Sequence, residues 1–164
     1  MKKLTLKAKI LLGLLVVLLA IQLVPSKVNN GEAKDPEFYN AYPTSNTVKQ
    51  ILRTSCADCH SNHTNYPWYA SIQPVGLWID HHVEEGKEHF NMDAWNTYSQ
   101  KQKMHKLEEL REEVNGGEMP LKSYLMIHSN AELTATQVRE INLWIGGILP
   151  PESQGSENQA TEKD

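Results

Sequence analysis

Cysteine is scarce in this chain: two are present among 164 residues, and both fall in one five-residue stretch, Cys56-Ala57-Asp58-Cys59-His60. A structural zinc site would therefore have to complete itself from His60, His63, His81 and His82, and none of these has a partner at convincing ligand spacing. A redox dithiol normally follows a strand within a βαβ pattern, and no such pattern surrounds this pair. No internal repeat is present, and no alternating polar and apolar run is long enough for a sheet, which leaves an all-α fold class. An excess of basic residues is also missing. The net charge is −4, and all 20 acidic residues but only 11 of the 16 basic ones lie beyond Lys27, leaving that part near −9. This balance excludes a nucleic-acid footprint. It fits a partner with a basic or neutral surface, or serves solubility alone.

The motif that is present, CxxCH, is the pattern of covalent c-type haem attachment. On one helical turn the thiols of Cys56 and Cys59 share a face, so two thioether bonds can form to haem vinyl groups. His60 falls on that face as well and can reach the iron as the proximal ligand. A zinc site, a redox dithiol and a plain disulfide are the competing readings.

At the N-terminus, Lys2, Lys3, Lys7 and Lys9 precede an apolar run from Ile10 to Val24 broken only by Gly13 and Gln22. That order marks an export or anchoring segment with its basic end in the cytoplasm. The run spans only roughly 22 Å against a hydrocarbon core of about 30 Å, which resembles a signal peptide. Val24-Pro25-Ser26-Lys27 is a poor cleavage site, and snorkelling lysines can stretch a short span, which favours an uncleaved anchor. Residues 1–27 are thus expected to be a signal or membrane helix, 28–43 a tether, 44–151 the domain, and 152–164 a polar tail. The domain would lie on the periplasmic side of the cytoplasmic membrane, or be soluble in the periplasm after cleavage.

Within the domain, a helix is expected from Thr44 or Ser45, with Val48, Ile51 and Leu52 as its apolar face, running into the motif. Ser61 to Pro74 is broken by proline and reads as a loop wrapped on something apolar, which makes Tyr66, Trp68 and Tyr69 candidates for a haem pocket. A helix from about Val75 to His89 contributes Trp78 to the same set. Ser99 to Val114 places Met104, Leu107, Leu110 and Val114 at helical spacing, stopped by Gly116 and Gly117. The closing helix opens on a capping box, Thr134 to Gln137, and carries Val138, Ile141, Trp144, Ile145 and Ile148 on one side.

An iron held by His60 has a second axial position. Met119 is the candidate, since the double glycine before it and Pro120 after it bend and pin the backbone. A His/Met pair gives a raised potential. Met92, Met104 and Met126 read as core filler. His128 is the rival ligand, although Ser129 and Asn130 beside it suggest a loop histidine bonding to backbone. His81 and His82 could line the haem edge, and His63, His89 and His105 are expected in solvent.

The order of helix, CxxCH, aromatic loop, Met-Pro loop and closing helix with Trp144 resembles the class I cytochromes c. More closely, Cys56 to His60, Ser61, Asn62, the Tyr66-Pro67-Trp68-Tyr69 loop, Pro74, Val75, Trp78, His82 and Val83, with Met119-Pro120-Leu121, Tyr124 and His128, resemble the bacterial haem-binding domain family. The match covers about Val48 to Ile148. The resemblance implies one covalent haem c on Cys56 and Cys59, its iron held by His60, and implies less about a reaction. The expected function is a membrane-tethered monohaem cytochrome that passes single electrons to a redox partner protein, an electron carrier in preference to an enzyme. A peroxidase-like enzyme or gas sensor with an open sixth site is the alternative, in which His81, His82 or His128 would serve as acid or base.

Overall fold

The computed structural model describes residues 5–32 and 36–150, and the expected polar tail at 152–164 lies outside the described residues. Every regular element among them is helical; the nearest approach to a strand is a single antiparallel bridge between Asn30 and His63. The α-helices are α1 (Leu6–Ile21), α2 (Phe38–Ala41), α3 (Asn46–Ser55), α4 (Ala57–His60), α5 (Val75–His89), α6 (Gln100–Gly116), α7 (Lys122–Leu125) and α8 (Ala135–Gly146). Three 3₁₀ turns, Trp68–Ser71, Met92–Thr97 and Ser129–Ala131, lie between them.

The long helices begin and end where their sequences direct. Ser45 caps α3 by accepting the Val48 N–H at 3.2 Å. Reciprocal capping boxes open α6 at Ser99 and Gln102 and α8 at Thr134 and Gln137. These caps satisfy first-turn N–H groups that have no partner inside the helix. At its other end α6 stops at Gly117, whose φ of +68° is a left-handed conformation that costs glycine little.

The core forms where α3 and α6 both pack against α8. Val48, Ile51 and Leu52 of α3 meet Leu107 and Val114 of α6 and Ile141 and Ile145 of α8, all buried. Met92 is fully buried, as a core filler should be, and Met104 packs against the cluster. Met126 is not core filler. It is 85 % exposed, because its position follows α7 on the outside of a loop.

Residues 28–43 are expected as a tether, yet described residues on both sides of 33–35 are bound to the domain. Asn29 holds Ser61, Thr64 and Tyr66 by hydrogen bonds, and Phe38 and Tyr39 on α2 are 0 % and 1 % exposed. The Phe38 ring meets Phe90, Trp95 and Trp144 edge to face at 5.0, 4.6 and 5.3 Å. Burying such a ring contributes about 2 kcal/mol, enough to fix a short segment. A four-residue helix is too short to leave a periodicity in the sequence.

At the N-terminus the apolar run forms a helix as short as its sequence indicates. α1 has 16 residues, or roughly 24 Å, against a core of about 30 Å. No helix among the described residues is long and apolar enough to cross a membrane.

Candidate functional site

The motif sits where α3 gives way to α4. The His60 and Cys59 N–H groups donate to the Cys56 carbonyl at 3.0 and 3.2 Å, closing one helical turn. Both cysteines are free and partly buried. Burial pushes the Cys56 thiol up to about 12 and the Cys59 thiol up to about 11, with Cys59 and Asp58 respectively adding repulsion. These are uncharged thiols, whereas a reactive redox pair needs a lowered thiol pKa.

Behind this turn lies α5. Gly86 permits the contact: a Cβ there would stand 2.8 Å from the Cys59 carbonyl oxygen and 3.2 Å from the Cys59 Cβ. α5 is capped at its C-terminus by Phe90, whose carbonyl oxygen is 2.9 Å from His60 Nδ1. Since a carbonyl only accepts, we assign the ring hydrogen to Nδ1, which leaves Nε2 with its lone pair. Burial, the largest influence, holds the His60 pKa below its ordinary value, so the ring is neutral.

The opposite wall hangs from the end of α6. After Gly117 turns the chain, the Glu118 and Met119 N–H groups both donate to the Glu113 carbonyl, at 3.0 and 3.2 Å. That returns Met119, Pro120 and Leu121 to the motif. Cys56, Cys59, His60 and Met119 all line one cavity of about 380 Å³, with Leu110, Val114 and Leu133 among its apolar walls. The polar side chains lining it include His82, Glu85, Lys106, Glu109 and Glu113. Lys106 donates to the His89 carbonyl. His89 is exposed, as expected, and also borders the cavity.

The aromatic set expected to line this cavity does not. Tyr66 accepts the Asn29 N–H at 3.1 Å, and Trp68 is 79 % exposed. Tyr69 and Trp78 line a second cavity of about 90 Å³, which shares Asp58, Cys59, His82, Leu121 and Tyr124 with the first. The reason is local. The Trp68–Ser71 turn packs on α5, so its rings follow that helix.

His128 borders only the second cavity, with its ring stacked on Tyr124 at 4.2 Å and Nδ1 3.3 Å from the Tyr124 carbonyl. It is the backbone-bonded loop histidine that its neighbours suggested. His81 pairs with Glu85 and His105 with Glu109, each at 3.3 Å on an exposed helix face. His63 is tied to the Gly31 carbonyl at 3.0 Å.

One contact escaped the sequence reading. The Tyr124 hydroxyl donates to Asp58 Oδ2 at 2.8 Å and so joins the loop carrying Met119 to the inside of the motif. Burial, and then Asp58, drives the Tyr124 pKa far above its ordinary value. Asp58 also receives Thr64 at its carbonyl and Asn65 at Oδ1. Tyr124 stands in a four-residue helix that carries no periodic signal.

Two free thiols, an imidazole with an available Nε2 and a thioether around a largely apolar cavity within the usual range of cofactor sites form a donor set that suits haem. A family model described as a haem-binding domain matches residues 16–146, from within α1 to the last residue of α8. No curated protein and no solved structure matches the chain.

Proposed function

The chain belongs to the haem-binding domain family, and from that premise we propose that it is an exported, membrane-tethered c-type cytochrome with one covalent haem, passing single electrons. Haem binding follows from the family. The finer reading is carried by the observation that Cys56, Cys59, His60 and Met119 line one cavity while the Phe90 carbonyl occupies His60 Nδ1.

In this reading each thiol of Cys56 and Cys59 adds across a vinyl double bond, sulfur to one carbon and hydrogen to the other, and so holds the ring edge against α4. His60 would hold the iron through Nε2, with its ring kept in place by Phe90. Met119 would hold it through its thioether. Bound there, the haem iron supplies a one-electron couple whose potential the His/Met pair raises. The Phe90 carbonyl holds the His60 ring and the Glu113 carbonyl holds the Met119 main chain, so neither residue would have to move when an electron arrives. The redox partner presents a basic or neutral surface, as the glutamates 85, 109 and 113 lining the cavity beside a single lysine suggest.

Retention of α1 as a tether is supported by the bonds between residues 22–29 and the domain. It is supported too by the start of the family match inside α1. Cleavage near Ser26, the alternative, would remove Gln22 and Val24 and with them their bonds to Gln73.

The protein produced with haem-attachment machinery tests the reading. Haem should stay with the polypeptide after denaturation and acid extraction, and Cys56→Ala or Cys59→Ala should weaken or abolish that retention. The spectrum should be low-spin in both oxidation states and inert to carbon monoxide. Fully extractable haem would end the c-type reading. Ready carbon monoxide binding with peroxide turnover would replace the electron carrier by the open-site enzyme or sensor.

A further inference from the structure

The large side chains of α1 from Ile10 to Leu19 are all more than half exposed, and the helix is apolar around its whole circumference. A helix of that kind is stable only when something covers it. Exposed apolar side chains follow its end at Leu23 and Val24, and others lie on the domain at Trp68 (79 % exposed), Ile72 (46 %) and Val75 (39 %), on either side of Gln73.

Gln73 brings the two groups together. It is buried, and both its main chain and side chain bond to the segment after α1. Its N–H donates to Gln22 Oε1 at 3.0 Å and its carbonyl accepts from Gln22 Nε2 at 2.9 Å. Its Nε2 donates to Ser26 Oγ at 2.7 Å and the Val24 carbonyl at 3.3 Å. Beyond them the Lys27 N–H donates to the buried Asp80 carboxylate at 2.7 Å. Gly76 makes room, since a Cβ there would lie 2.9 Å from Ser26 Oγ and 2.3 Å from the Ala70 carbonyl oxygen. α1 is therefore joined to the domain through bonded chain, not through a loose hinge.

Its length decides what covers the rest. α1 falls roughly 6 Å short of the hydrocarbon thickness, and a short apolar stretch draws its flanking surface toward the lipid. Tryptophan is the side chain best suited to that boundary, with an apolar body and one polar N–H. Lys7 and Lys9 stand at the other end of α1.

Resting on the tethered reading above, we propose that Trp68, Ile72 and Val75 form a second contact with the bilayer, seated at its headgroup and acyl boundary. The domain then lies against the membrane in one orientation.

Photolabelling tests this on the full haem-loaded chain in phosphatidylcholine vesicles that contain a phospholipid with a diazirine on its acyl chain. After irradiation and digestion, label should appear on α1 and on the peptide covering Trp68 to Val75. In Trp68→Ser with Ile72→Ser, the second labelling should fall several-fold while that of α1 is unchanged. Label on α1 alone, or equally on α6 and α8, overturns the docking and leaves the tether standing. Absence of label from α1 as well removes the tether itself.

Discussion

Met119 and His128 are nine residues apart, yet they end on different cavities, and only Met119 shares one with His60. Met119→Ala should therefore open the iron to carbon monoxide and lower the potential by on the order of 0.1 V, a small part of the range axial ligands command. His128→Ala should do neither, since its ring is engaged with Tyr124. Carbon monoxide difference spectra and potentiometry decide, and the reverse pattern would reassign the site to two histidines. That Cys56, Cys59 and His60 share one turn and one cavity is legible in sequence because the spacing itself places them together. Met119 is legible from the glycines and proline that bend the chain around it. Tyr124 is not, because its hydrogen bond to Asp58 spans 66 positions and no local pattern encodes such a pairing.

Helices announce themselves when they are long. α3, α6 and α8 follow from apolar spacing and caps, whereas α2, α4 and α7, four residues each, leave no periodicity. The tether expected at 28–43 failed for this reason, since Phe38 and Tyr39 are core residues on a helix too short to display a face. The approach of α5 to α4 was equally hidden, because a glycine in a helix reads as a weakness until its neighbour is known. Gly86→Ala should cost about 1–3 kcal/mol, because its Cβ would meet main-chain atoms that cannot rotate away. The midpoint of thermal unfolding should fall by several degrees, and haem attachment should drop with it. Gly146→Ala is the contrasting case. Its Cβ would meet nothing within 4 Å, so the same assay should show a neutral effect or a gain of up to about 1 kcal/mol.

Over the whole molecule, charge is legible from composition and shape is not. The acidity beyond Lys27 predicts that electron transfer to a basic redox protein, followed by stopped flow, slows about tenfold from low to physiological ionic strength. A rate indifferent to salt would show that the acidity serves solubility alone. Closure of α3, α6 and α8 into a core beside the cavity depends on contacts distant in sequence, and no local window reveals it. That closure also leaves the two sides of the cavity unequally stiff. On the His60 side, helix touches helix at Gly86, and the Phe90 carbonyl locks the ring. On the Met119 side, a loop is suspended from Glu113 and pinned by Tyr124. Heat or denaturant acts first on the more compliant side. A covalently held ring would then lose its sixth partner while the domain is still folded, turning a carrier of electrons into an exposed iron before any unfolding is visible.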